Sequence, residues 1–239
     1  MKRSALRGLI LSTVLAFGGL ASAADGYEAL RRTMVEKQVR QRGITRPDVL
    51  AAMEQVPRHL FVPDSLRDKA YLDQPLDLGR GRTIYQPYVV ALMTSLLDLK
   101  RGARVLEVGT GTGYHAAVLS RVAREVYSIE IVGPVAAQAA KRLEIMGYTN
   151  VEVKAGDGYK GWIEKAPFDA ILLSAAPPKE VPKPLLEQLR VGGKIVAPVG
   201  GFVQDLQVIT KTANGLEKRT IIPVRLQPMS GEVRDGAKR

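Results

Sequence analysis

Three glycines spaced two apart, Gly109, Gly111 and Gly113, follow directly on Val105-Leu106-Glu107-Val108, and an apolar helical pattern from His115 to Val122 comes next. A strand, a sharp turn and a helix N-terminus account for this order. Glycine serves where the backbone takes positive φ or lets a ligand touch the main chain. The helix that follows points its first N–H groups at whatever lies over the turn. Two acids stand behind it. Glu130 closes the next strand, 17 residues beyond Gly113, where a carboxylate can accept both hydroxyls of a ribose or simply be a solvated strand end. Asp157, in Gly156-Asp157-Gly158, follows the third strand and is placed to accept from an adenine amine or to brace its loop. Glu107 either contacts the turn or a ligand's amino group, or caps backbone N–H groups. The chemistry these residues offer is the holding of a small polar molecule.

The spacing narrows the molecule. A dinucleotide fingerprint needs its third glycine three residues after the second, and here Tyr114 stands in that place. A phosphate-binding P-loop needs Lys-Ser/Thr after the glycines, and none is present. Gly-x-Gly-x-Gly after an acidic-apolar strand resembles the turn of the Rossmann-like, class I methyltransferases that use S-adenosylmethionine. That resemblance implies a cofactor site made of Glu107, Gly109, Thr110, Gly111, Gly113, Glu130, Asp157 and Gly158.

The elements that must position this turn alternate from Arg104 onward. Strand patterns at 104–108, 126–130, 151–154, 169–174 and 194–198 are separated by helical patterns, notably 114–123, 134–147 and 183–190. Repeated βα units predict a parallel sheet with helices on both faces. Phe202 to Thr210 and Leu216 to Arg225 alternate around Ala213-Asn214-Gly215, the pattern of an antiparallel hairpin. Upstream, Tyr27 to Arg42 is amphipathic and ends at Gly43, and a second helix spans Val49 to Val56 behind Pro47. Prolines at 57 and 63 exclude one long helix between them. A further apolar helix covers Val89 to Leu99. Residues 25–100 therefore read as a helical cap, 101–200 as the cofactor-binding core and 201–232 as C-terminal strands of one domain, 24–239. The polar stretch Gly231 to Arg239 is expected to fray.

The 239 residues are 46% hydrophobic and 25% charged, which suits a chain with a proper core. With no Cys and only His59 and His115, disulfides, thiolate nucleophiles and a His- or Cys-based metal site are excluded. The two histidines read as polar turn and helix residues, and Tyr159 and Trp162 as packing. Lys2, Arg3 and Arg7 precede an uncharged apolar run, Leu9 to Leu20, that ends in Ala21-Ser22-Ala23. This is the pattern of a secretory signal peptide over 1–23, too short to span a membrane. Its cleavage removes three basic residues, leaving +8 of the +11. Periplasmic or secreted location is the expectation, and a cytoplasmic protein from a later start at Met34 is the alternative. The dispersed positive charge argues against nucleic-acid binding, and the mature chain is expected to be a monomer without stable membrane association.

The chain also resembles a specific family, protein-L-isoaspartate O-methyltransferase, from about Tyr27 to Glu232. Thr83-Ile84-Tyr85-Gln86-Pro87-Tyr88, the segment Val105 to Tyr114, Gly156 to Trp162, Ala166 to Ile171 and Ala175-Ala176-Pro177-Pro178 carry the likeness. So do Gly192-Gly193, Pro198-Val199-Gly200 and Val224 to Pro228. The resemblance implies methyl transfer from S-adenosylmethionine to the α-carboxylate of L-isoaspartyl residues in damaged proteins. The ester then collapses to a succinimide, and hydrolysis returns part of it to aspartate. It further implies cofactor contacts at Thr83 and Ile84, with Ser230 following from the Pro228 segment. A substrate groove would contain Gln86, Pro87 and Arg225, although Arg225 can equally be a surface arginine on a strand.

One position departs from the family. Tyr85 stands where the family normally has the serine whose hydroxyl lies near the substrate carboxylate. A tyrosine keeps a donor but carries it further out on a bulky ring. Three readings stay open: Tyr85 is the catalytic group in a rearranged pocket, the acceptor is a different carboxylate, or Tyr85 only packs. The last leaves a weak enzyme or a non-catalytic isoaspartyl-peptide binder.

Overall fold

The computed structural model describes residues 18–235; of the leader expected at 1–23, residues 1–17 lie outside them. Helix α1 (Gly18–Met34) continues as a wide turn at Val35–Val39 and a tight one at Arg40–Arg42, and stops at Gly43 with φ 91°. Helix α2 (Pro47–Gln55) follows with Pro at its first turn, where a missing N–H costs nothing. Strands β1 (Leu76–Asp77) and β2 (Thr83–Ile84) form a small antiparallel ribbon that delivers the chain to α3 (Pro87–Leu96).

The main sheet then builds from β3 (Arg104–Val108), α4 (Tyr114–Ser120), β4 (Glu125–Glu130), α5 (Gly133–Ile145), β5 (Val151–Ala155) and β6 (Phe168–Leu173). Helix α6 (Lys183–Gln188) leads to β7 (Leu189–Val199), and β8 (Gln204–Thr212) with β9 (Gly215–Val224) makes the antiparallel hairpin. The strand order is β5-β4-β3-β6-β7-β8-β9, parallel as far as β7. The chain leaves β3 first toward β4 and later returns to its other side as β6. That reversal opens a crevice at the carboxyl ends of β3, β4 and β6, where open α/β sheets bind ligands. The expected α/β sheet with a helical cap and a C-terminal hairpin is what forms.

Alternation along each strand splits the core into two faces. Val105, Val126, Ala170 and Val196 share one apolar cluster with Met34, Val39, Met53 and Phe61 of the cap. Leu106, Ile129, Ile171 and Ile195 form the other with Trp162 and Phe168. The cap is therefore continuous with one face of the sheet, and its position over the crevice is fixed by burial.

Two expectations need correction. The helix placed at 183–190 ends at Gln188, and the strand placed at 194–198 starts at Leu189. Phe168 pairs with Leu189 and Ala170 with Lys194, so the extra residues bulge, and Gly193 has no room for a Cβ, which would stand 2.8 Å from the Asp169 carbonyl. At the other end, Gly231 to Asp235 does not simply fray, and 236–239 of that stretch lie outside the described residues. A short helix, α7 (Glu232–Asp235), forms, and the Glu232 N–H donates to Asp157 Oδ2 at 2.8 Å.

Candidate active site

The three glycines of the turn do different work. All lie at positive φ, 100° at Gly109, 53° at Gly111 and 87° at Gly113. A Cβ on Gly109 would be 3.3 Å from the Ser174 side chain just beyond β6, and one on Gly113 would be 3.2 Å from Leu143 of α5. Gly111 has open space there. Gly109 and Gly113 thus let a strand and a helix close on the turn, whereas Gly111 presents bare backbone to a cavity. The turn is hung from its neighbours: the Gly109 N–H donates to the Ile129 carbonyl at 2.8 Å, and the Ser174 N–H to the Val108 carbonyl at 2.8 Å.

Over the turn lies a cavity of about 310 Å³. Of the residues expected to hold the cofactor, Thr83, Ile84, Gly109, Thr110, Gly111, Glu130 and Gly158 line it, and Tyr85 does too. The Glu130 carboxylate is nearly buried, accepting from the Gly111 N–H at 2.9 Å and the Val132 N–H at 3.0 Å. Each oxygen keeps a second lone pair for a hydroxyl. These two bonds fix a carboxylate on the wall at the place a ribose-type diol requires.

Glu107 and Gly113 are not on that wall. Glu107 is fully buried beneath it and caps no backbone group; it accepts from Ser128 Oγ at 2.5 Å. Ser128 spends its one proton there, so Thr110 must donate to Ser128 across their 2.6 Å contact. Burial pushes the Glu107 carboxyl up to about 8, against the lowering effect of Ser128. Its influence on a ligand runs through the Thr110–Ser128 chain. Asp157 also stands off the cavity wall. Its Oδ1 accepts from the Tyr159 N–H at 2.9 Å and its Oδ2 from the Glu232 N–H, so it braces the 157–160 turn against the C-terminal segment.

Gln86, Pro87 and Arg225, expected in the substrate groove, lie off this wall as well. Gln86 donates to Asp73 Oδ1 at 2.8 Å, and Pro87 opens α3. Arg225 is exposed, its guanidinium 5.6 Å from the Phe202 ring centre.

Tyr85 is placed against the cavity but is not poised to donate into it. Its hydroxyl donates to the Ser174 carbonyl at 2.7 Å and accepts from the Gln227 N–H at 3.1 Å. The single proton is committed to the protein, so the catalytic-donor reading does not fit this geometry. Burial pushes the phenol up to about 12 and keeps it neutral. Tyr85 clasps the segment 226–230, and Gln227 adds a side-chain bond to Thr83 Oγ1 at 3.1 Å. Gln227 and Met229 line the cavity with the sequence-expected Ser230. Gln204 holds the neighbouring Leu226 through both of its backbone polar groups, at 2.7 and 3.0 Å.

Residues with no sequence signal support this wall. Arg58 is fully buried, donating to the Ala70 carbonyl and the Tyr85 carbonyl at 2.7 Å each. His115, read from sequence as a polar helix residue, lines the cavity. The Thr94 hydroxyl donates to the Val90 carbonyl at 2.8 Å, so His115 Nε2 carries the proton in its 3.0 Å bond to Thr94. Burial pushes the imidazole down to about 3, and the ring is neutral. Among the described residues no group of three or more His, Cys, Asp or Glu side chains could hold a metal ion.

A doubly wound sheet with a Gly-x-Gly-x-Gly turn and an acid ending the adjacent strand defines a class I, S-adenosylmethionine-dependent methyltransferase. The cavity fits that cofactor, with bare backbone at Gly111, a diol acceptor at Glu130 and an apolar wall at Ile129, Ile131 and Val132 for a base. The family model for protein-L-isoaspartate(D-aspartate) O-methyltransferase matches residues 29–233, and the chain belongs to this family. It is 53% identical over 208 residues to a protein-L-isoaspartate O-methyltransferase of Picosynechococcus sp., covering 87% of this chain and 93% of that one. It is 50% identical over 230 residues to one of Opitutus terrae, covering 94% and 97%. Among solved structures, a protein-L-isoaspartate O-methyltransferase superposes with a TM-score of 0.77 at 29% identity, covering 87% of this chain and 67% of that one. A Plasmodium falciparum structure described as such a methyltransferase in complex with S-adenosyl-L-homocysteine gives 0.70 at 25% identity, covering 84% and 98%.

Proposed function

We propose that this chain methylates the α-carboxylate of L-isoaspartyl residues in damaged proteins, using S-adenosylmethionine, and so starts their return to aspartate. The observation that carries this reading is the cavity itself, where the Gly111 backbone and the Glu130 carboxylate face the cap strand Thr83–Ile84. The cofactor supplies an electrophilic sulfonium methyl group.

What remains for the protein is alignment and exclusion of water. A carboxylate with a pKa near 4 is already ionised at neutral pH, so no general base is needed. His115 is too weak a base, because burial holds its imidazole pKa down to about 3, and Tyr85 holds its proton against Ser174. Orientation of reacting groups supplies roughly 7–11 kcal/mol in favourable cases. Here the orienting surfaces come from three distant parts of the chain: the cap strand, the carboxyl end of β6 and segment 226–230, joined at Tyr85. Thr83 sits on the cap side of that joint, its hydroxyl held by Gln227.

The test is methyl ester formation on isoaspartyl and aspartyl versions of one peptide. Strong preference for the isoaspartyl version is the expected result, and equal or absent methylation of both refutes the substrate assignment.

The finer expectation of export is also proposed, supported by the basic start, the apolar run Leu9 to Leu20 and Ala21-Ser22-Ala23. Secreted proteins age and accumulate isoaspartate, although an exported enzyme needs cofactor from the cytoplasm. Fractionation with N-terminal sequencing decides it: a mature chain starting near Ala24 supports export, and an intact Met1 refutes cleavage.

A further inference from the structure

A second cavity, of about 440 Å³, shares Leu78, Arg82, Gly111 and Thr112 with the cofactor cavity. Its charge is unbalanced. Arg67, Arg82 and Arg142 line it against one carboxylate, Asp64. Asp64 is already paired with Arg67 at 2.9 Å. Arg142 Nη1 donates to the Thr112 carbonyl at 2.8 Å and Arg82 Nε to the Gly79 carbonyl at 3.4 Å. Neither guanidinium has a carboxylate within ion-pair distance among the described residues. The first turn of α5 contributes Val135 to the wall, and a helix N-terminus favours negative charge.

We propose that this cavity is an oxyanion site, in which Arg82 and Arg142 hold a carboxylate or phosphate group next to the cofactor turn. A guanidinium presents a planar fork of donors that matches the oxygens of either group. Arg142 is half-buried, and burial without a counter-charge pushes its pKa down, so a resident anion relieves that cost. The Thr112 carbonyl that Arg142 holds belongs to the glycine turn, so anion and cofactor occupy the two sides of one loop. The oxyanion is either free in solution or an acidic side chain of the polypeptide being methylated; the latter source rests on the function proposed above.

Isothermal titration of inorganic phosphate at constant ionic strength, into the full protein saturated with S-adenosylhomocysteine, tests the site without any activity measurement. Saturable uptake is expected, weakened about tenfold or more in Arg82→Gln and Arg142→Gln. Melting curves for both variants establish that they are folded, and if Arg142→Gln is not, Arg82→Gln alone decides. Phosphate binding no better than chloride, or unchanged affinity in the folded variants, overturns the proposal. Phosphate that binds the cofactor-free protein but not the S-adenosylhomocysteine-saturated one also overturns it, because the arginines then serve the cofactor's own carboxylate. Kinetics with acid-flanked and neutral-flanked isoaspartyl peptides assign the source. A phosphate-induced rise in KM for the acid-flanked peptide alone places a substrate carboxylate in the site, and a KM indifferent to phosphate places a free oxyanion there. If neither peptide is methylated, the function reading fails while the phosphate titration still decides the site.

Discussion

The Tyr85 hydroxyl donates to the Ser174 carbonyl at 2.7 Å across 89 residues of sequence, tying the cap to the carboxyl end of β6. The same oxygen accepts from the Gln227 N–H, so one phenol joins three walls of the cofactor cavity. Tyr85→Phe keeps the ring and leaves a carbonyl and an N–H unpaired. A stability loss of about 1–3 kcal/mol is expected. S-adenosylhomocysteine affinity should fall with it, because segment 226–230 is released. Denaturant melts and calorimetry check both, and unchanged cofactor affinity in the folded variant would show that the clasp does not shape the cavity.

Glu130 makes a second prediction. Glu130→Gln turns one acceptor oxygen into an N–H donor facing the N–H of Gly111 or Val132, and removes the charge. Losing one charge-assisted bond to a ribose hydroxyl costs about 1.5–3 kcal/mol, or roughly 10- to 100-fold in S-adenosylhomocysteine affinity. Titration calorimetry reads this directly. Wild-type affinity in the variant would remove Glu130 from the ligand site.

Glu107 predicts a pH dependence. Its carboxyl is raised from the ordinary 4.5 to about 8 in the folded protein, chiefly by burial. Between those values the folded state binds more protons than the unfolded one, so stability falls as pH rises through the window. Glu107→Gln mimics the protonated form and still accepts from Ser128. It should flatten the fall between pH 4.5 and 8 and be more stable than wild type above it, by on the order of a few kcal/mol. Urea melts at several pH values measure the difference. An unchanged slope would mean that Glu107 titrates at its ordinary value.

Arg58 carries the fourth. Its guanidinium spans the Ala70 and Tyr85 carbonyls from a fully buried position. Lysine at 58 keeps the charge but cannot present the two-pronged fork. Arg58→Lys should lose about 1.5–3 kcal/mol of stability and loosen the Tyr85 backbone, lowering cofactor affinity. Unchanged melting and binding would show that one ammonium suffices.

Much of the fold is legible in local pattern. The strand read at 104–108 has those bounds, and the Ala213-Asn214 turn joins β8 to β9 as the alternation requires. Where the readings missed, at 189–193 and after Gly231, the deciding contacts are with distant residues: the Phe168 pairing and the Asp157 carboxylate. The same holds for Asp157 itself, whose two readings differ only in which partner reaches it.

By itself the sequence placed the cofactor turn and the acid behind it, because a glycine turn after a strand and an acid ending the next strand are set by spacing along a regular backbone; the likeness to methyltransferase turns named the cofactor. Periodicity likewise fixed which faces are buried. Tertiary structure alone decided the wall opposite the turn. A tyrosine's hydroxyl has one proton and an arginine's fork has two prongs, and which carbonyls they meet depends on elements that folding brings together. Tyr85 reaches Ser174, Gln227 stands 142 residues beyond it, and Arg58 holds it from below. No local spacing encodes those meetings, since they follow from packing the cap on one face of the sheet and the C-terminal segment across its edge.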